Sequence, residues 1–103
     1  MSSQEVRLFG LSPSVVQSLK AIFGKNARVE RAVIYGSRAK GTFRDGSDID
    51  ITLVGKDLNA TDLLKIENEI DDLMLPYKVD LSLFSHIDNE SLIHHILDVG
   101  KDL

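Results

Sequence analysis

An α/β domain with one small central sheet is the fold the sequence predicts, and three observations predict it. Three short runs, residues 32–35, 48–53 and 79–83, have the length and pattern of strands, and three longer stretches repeat apolar residues at helical spacing. The two kinds alternate along a chain that has no internal repeat, low-complexity tract or linker. The expected order is α-β-(turn or helix)-β-α-β-α, a mixed sheet flanked by helices. A length of 103 residues suits a single domain, 1–103, with no room for a separate substrate-binding domain.

Each element has its own local reason. In LSPSVV, Ser12 is a good N-cap, Pro13 suits the first helical position, and Leu11 with Val16 has the spacing of a hydrophobic staple. Val15, Val16, Leu19, Ile22 and Phe23 then recur at helical spacing, and Gly24 offers a stop. Ala32, Val33, Ile34 and Tyr35 form a continuous apolar run ended by Gly36, the pattern of a central strand covered on both faces. Strict alternation from Asp48 to Leu53 predicts a second strand; Val79, Asp80, Leu81, Ser82 and Leu83 alternate as a third. Between them Thr61 or Asp62 is placed to cap a helix whose stripe is Leu63, Ile66, Ile70, Leu73 and Met74, closed by Pro76. A last helix is expected from about Asp88, with Leu92, Ile93, Ile96 and Leu97 on one side and Gly100 at its end.

Hydrophobic residues make up 43% of the chain, enough to fill one core, and the 27% that are charged argue for a soluble domain. The absence of cysteine excludes a disulfide scaffold, a thiolate zinc site and a Cys nucleophile, and it fits a reducing cytoplasm. MSSQEVRLFG lacks the apolar stretch of a signal peptide, and no apolar run approaches the roughly 18 residues of a membrane span. The formal charge of −4 makes the chain a poor general nucleic-acid binder. That figure averages two unlike segments: residues 20–44 carry seven Lys/Arg against one Glu, and residues 45–103 carry fourteen Asp/Glu against four Lys. A basic segment running into an acidic one can hold polyphosphate and metal side by side.

In a strand, side chains at i and i+2 share a face about 6.6 Å apart. Asp48 and Asp50 therefore point one way while Ile49, Ile51 and Leu53 point into the core, and Asp80 takes the corresponding place on the third strand. If those strands are neighbours, the three carboxylates gather on one side. Two carboxylates about 4 Å apart repel by roughly 4 kcal/mol at an effective dielectric near 20, so the cluster needs a cation or a shared proton. Oxygen ligands without His or Cys suit Mg²⁺ or Mn²⁺ and can bridge a metal pair about 3.5–4 Å apart. The plainer account, polar residues on the wet face of an antiparallel pair, is the better one for an isolated Asp-x-Asp.

The segment upstream shifts that balance. Gly36-Ser37 follows the first strand directly and leads into what reads as one helical turn, Ser37 to Lys40, where backbone N–H groups and the Ser37 hydroxyl can receive a phosphate. Arg38, Lys40 and Arg44 lie in or after the turn and can neutralise further phosphate charge. Gly36 and Gly41 have P-loop spacing, but Thr42-Phe43 stands where Lys-Ser/Thr is required; Asp48-x-Asp50 lacks the glycine and distal Glu of an EF-hand.

Taken together, GSRAKGTFRDGSDIDITL and the later VDLSLF resemble the signature of the nucleotidyltransferase superfamily, the DNA polymerase β-like fold, and within it the minimal nucleotidyltransferase (MNT) family. The resemblance covers residues 33–84. It implies that the phosphates of an NTP sit on Gly36 and Ser37, with Arg38 and Lys40 nearby, and that Asp48 and Asp50 hold two Mg²⁺. Asp80 then binds the catalytic metal, and it or that metal helps deprotonate an incoming hydroxyl that attacks the α-phosphorus. The family often shows Arg where this chain has Lys40, which keeps the charge and loses a bidentate donor. MNT proteins commonly pair with HEPN-domain toxins and act as antitoxins by transferring AMP from ATP to a toxin hydroxyl, notably of tyrosine. The resemblance therefore implies a Mg²⁺-dependent protein adenylyltransferase with a HEPN partner. The alternative is a module that neutralises its partner by masking it, and transfer to a small molecule or RNA end is disfavoured by the charge and the missing substrate domain.

Other residues read as structural. Adjacent His94 and His95 point about 100° apart on a helix and cannot form an i, i+4 metal pair, so one inward and one outward is expected. His86 reads as a loop histidine, Tyr35 as core, and Glu67, Glu69, Asp71 and Asp72 as a solvated helix face.

Overall fold

The computed structural model describes residues 8–103; residues 1–7, most of the stretch read as free of a leader, lie outside them. The order is α1 (Pro13–Lys25), β1 (Arg31–Tyr35), α2 (Gly36–Lys40), β2 (Ile49–Val54), α3 (Ala60–Asp72), β3 (Val79–Leu83), a 3₁₀ turn (Phe84–His86), α4 (Glu90–Val99) and β4 (Lys101–Asp102). No helix among the described residues is long and apolar enough to cross a membrane.

The helices start where side-chain oxygens meet free amides. Ser12 caps α1, its Oγ accepting the Val15 N–H at 3.4 Å, with Pro13 next. The helix runs through Gly24 and closes at Asn26, so the glycine stop is not used. On α3 the cap is Asn59, not Thr61 or Asp62: Asn59 Oδ1 accepts the Asp62 N–H at 3.0 Å and Asp62 Oδ2 accepts the Asn59 N–H at 3.2 Å. This reciprocal capping box satisfies two amides at once. Met74 leaves the predicted stripe because the chain has already turned there into the left-handed region (φ 52), and the side chain is 87% exposed. Asn89 caps α4 and Gly100 ends it, but Leu97 faces outward at 69% exposure, leaving Leu92, Ile93 and Ile96 on the inner side.

The sheet has the order β3-β2-β1-β4. β1 pairs antiparallel with β2 on one side and β4 on the other, while β2 and β3 are parallel and joined by α3 as the crossover. The sheet is therefore mixed, as expected. β4 is an addition that two residues without alternation do not announce; the Arg31–Asp102 ion pair at 2.7 Å and the Leu103 N–H to Ala32 carbonyl bond at 2.9 Å hold it.

α1 and α3 cover one face of the sheet, where Leu19, Ile22, Ile34, Ile51, Ile66 and Leu83 form the main core. The other face has a smaller cluster, Val33, Tyr35 and Ile96, with Phe84, Ile87 and Leu92 against it. β2, being central, buries even its polar Thr52, whose hydroxyl donates to the Ser82 carbonyl at 3.4 Å and accepts from the Ser82 hydroxyl at 3.0 Å.

Candidate active site

The site begins where β1 gives way to α2. Gly36 holds φ 72, a conformation that L side chains rarely adopt, so the backbone favours glycine, and the space a Cβ would take is occupied by the end of the Asp50 side chain. Antiparallel pairing sets Tyr35 opposite Asp50, and parallel pairing sets Asp50 opposite Asp80. Register partners share a face, so Tyr35, Asp50 and Asp80 form a row across three adjacent strands on the α4 side of the sheet. Asp48 lies two residues before Asp50 and extends the row to the rim; Asp48 and Asp80 are exposed and Asp50 is half-buried.

The electrostatics of the row are unbalanced. Burial pushes the Asp50 carboxyl above the usual carboxylate range, the charges of Asp80 and then Asp48 push it further, and Lys78, together with His95 whenever that ring is protonated, pulls the other way. The Tyr35 hydroxyl is also raised, first by burial and then by Asp50 and Asp80, against a hydrogen bond with Ser82. An all-oxygen donor set that repels itself is chemically suited to a hard divalent cation. The three carboxylates share one side but do not converge: among the described residues, no three His, Cys, Asp or Glu side chains are grouped closely enough to enclose a metal ion.

The basic residues of the turn divide. Lys40 is exposed and, at i+4 from Gly36, shares its side of the short helix. Arg38 does not sit at a phosphate position. It is 2% exposed, with Nη1 donating to the Phe9 carbonyl (2.8 Å), Nη2 to the carbonyls of Ser47 (2.9 Å) and Asp45 (3.3 Å), and Nε to Ser47 (3.2 Å). The rings of Phe43 and Tyr77 lie 5.1 and 4.9 Å from its guanidinium carbon. The reason is helical phase: two residues at 100° each turn Arg38 to the opposite side from Gly36. Its role is to fasten α2 to the loop that carries Asp48 and to the segment that leads into β3.

Of the two neighbouring histidines, His94 is exposed and His95 is turned inward. His95 Nε2 accepts the Gly36 N–H at 3.0 Å, and its ring meets that of Tyr35 edge to face with centroids 6.1 Å apart. The helical pattern of α4 offers no hint of this contact, because its partner lies 59 residues away. A cavity of about 690 Å³ lies elsewhere, between the end of α1 and α3, lined by Lys25, Arg28, Asp62, Lys65 and Glu69 among others and by none of the site residues.

The family described as polymerase β, nucleotidyltransferase, matches residues 17–103. The chain belongs to this nucleotidyltransferase family. Among curated proteins no sequence matches it. Solved structures with the same fold include a toxin–antitoxin complex with AMP-PNP (20% identity, TM-score 0.68, covering 84% of this chain and 69% of that one). A MntA–HpeT toxin–antitoxin variant is similar (18% identity, TM-score 0.63, 86% and 68%). So is a complex of a tri-AMPylated Shewanella oneidensis HEPN toxin with its MNT antitoxin (17% identity, TM-score 0.57, 86% and 65%). This nucleotidyltransferase thus spans about two thirds of each neighbour's length.

Proposed function

We propose that the chain is a divalent-cation-dependent adenylyltransferase that moves AMP from ATP to a tyrosine hydroxyl of a HEPN-type toxin and so acts as its antitoxin. The observation that carries this reading is the strand register that sets Asp50 beside Asp80, with Asp48 on the same face and the Gly36–Ser37 turn directly behind. Family membership and neighbours crystallised as toxin–antitoxin pairs, one with an ATP analogue and one with an AMPylated HEPN toxin, support it.

Asp48, Asp50 and Asp80 would hold Mg²⁺ or Mn²⁺, and a bound ion pair neutralises phosphate charge and stabilises the departing oxygen. The chain's own residues position the nucleotide. Gly36 lets the phosphates approach, the Ser37 hydroxyl donates to a phosphate oxygen, and Lys40 lends charge at the exposed edge. The acceptor hydroxyl attacks the α-phosphorus in line. A P–O bond forms to the acceptor, the bond to the bridging oxygen breaks, and pyrophosphate leaves with that electron pair. Asp80, exposed at the end of the row, or the cation it would hold, would help take the hydroxyl proton. Incubation with α-labelled ATP, Mg²⁺ and the protein encoded next to it should label that partner; a wild-type protein that transfers no label ends the proposal.

The second reading is a module that masks its partner without chemistry, and the outward Leu97 on α4 favours it. The double variant Asp48→Asn, Asp50→Asn separates the two. Catalysis predicts that neutralisation of the purified partner disappears while binding persists; masking predicts that neutralisation survives.

A further inference from the structure

We infer that His95 is a positioning residue for the nucleotide-binding turn: its neutral imidazole, delivered by α4, captures the Gly36 N–H and locks the turn before nucleotide arrives. This rests on the transferase reading above but on a separate observation, the 3.0 Å bond from the Gly36 N–H to His95 Nε2.

Gly36 opens α2, where the first amides have no partner within the helix, and the N-cap residue Tyr35 makes no side-chain cap bond. His95 meets this need from across the fold. An imidazole nitrogen can accept only through a lone pair, so Nε2 is unprotonated and the ring proton of the neutral form resides on Nδ1. Gly36 then has the Asp50 carboxylate in the space a Cβ would fill and His95 at its N–H, while the Tyr35 ring lies edge to face with the imidazole. With that amide engaged, the Ser37 N–H and hydroxyl remain the groups that a phosphate meets. Fixing a binding loop in advance lowers the entropy cost of association, so the contribution should fall on nucleotide affinity rather than on the chemical step.

The test compares His95→Leu, which keeps bulk and removes the acceptor, with His95→Gln, whose Oε1 can take the place of Nε2. Binding of AMP-PNP with Mg²⁺ should weaken about three- to tenfold in the Leu variant, the scale of one lost hydrogen bond, and stay within about twofold of wild type in the Gln variant. In transfer assays the Leu variant should raise KM for ATP and leave kcat nearly unchanged. Nitrogen-15 NMR should show Nε2 without a proton in the wild type, and the Gly36 amide should exchange faster with solvent in the Leu variant than in the Gln variant. A protonated Nε2, equal Gly36 exchange in Leu and Gln variants, or Gln binding as weakly as Leu overturns the inference. A wild-type protein that binds no nucleotide overturns the transferase reading and the positioning role with it, while NMR still decides whether the bond itself exists; the two failures are thus distinguishable.

Discussion

Asp50 and Asp62 make an instructive pair. Burial acts on both in the same direction, raising the carboxyl, and the fold then treats them differently. Around Asp62, burial is the largest single effect, yet hydrogen bonds from Asn26 and the Asn59 backbone together with Arg28 outweigh it and hold the carboxyl below its usual range. Its Oδ1 takes Arg28 Nη1 at 3.0 Å and Asn26 Nδ2 at 3.3 Å. Around Asp50 the neighbours are Asp80 and Asp48, which add to the effect of burial. A compensated carboxylate builds structure, and an uncompensated one is a candidate for binding a ligand.

The largest expected effect breaks the uncompensated side. Asp48→Asn with Asp50→Asn should reduce AMP transfer on the order of 10³-fold or more, measured as label incorporated per minute, because the cation loses its anionic ligands. Next in size is Arg38→Met, which leaves the Phe9, Asp45 and Ser47 carbonyls without their donor. It should cost about 3 kcal/mol of stability, read from the denaturant midpoint. A loss confined to activity with stability unchanged would return Arg38 to the phosphate. Gly36→Ala should cost about 2 kcal/mol through its positive φ, read from the denaturant midpoint.

Smaller effects sharpen the contrast between the two carboxylates through pH. Asp62 has a depressed carboxyl, so the stability it contributes is present above the unfolded value and is lost as pH falls through the folded one. Asp62→Asn should therefore lower stability at pH 7 and flatten the acid limb below about pH 4, where an unfolded Asp takes up its proton. Asp50 behaves with opposite sign: its raised carboxyl binds the proton more readily in the folded state, so its ionisation weakens the fold as pH rises toward neutrality. Asp50→Asn alone should raise the Tm at pH 7 without divalent cation, and added Mg²⁺ should stabilise the wild type more than the variant. Equal stabilisation of both would separate cation binding from Asp50.

Much of this architecture was legible from alternation and helical period. Asp48, Asp50 and Asp80 could be placed on one side because a strand's two-residue repeat leaves no other option once β2 and β3 are neighbours. The cap at Asn59 escaped because Thr61 and Asp62 are equally good capping chemistry, and Asp62 in fact takes part as the other half of the capping box. β4 escaped because two residues carry no period. The Arg38 error had a visible antidote in the 100° step of the helix, whereas the His95 contact joins positions distant in sequence and belongs to tertiary packing alone. Alternation places Asp48, Asp50 and Asp80 on one face but does not fix the distances between their carboxylates, which are not grouped closely enough to enclose an ion.

The parallel pairing of β2 with β3 also sets an order of events during folding. The β1–β2 pair joins segments nearer in sequence than the β2–β3 pair does, and Asp80 reaches Asp50 only once β3 docks from the far end of the α3 crossover. Charge repulsion within the site is therefore encountered when β3 docks beside β2 as one of the sheet's two outer strands. A divalent cation present during refolding should speed that step, and the wild-type protein would then acquire its fold fastest in the solution that the proposed reaction calls for.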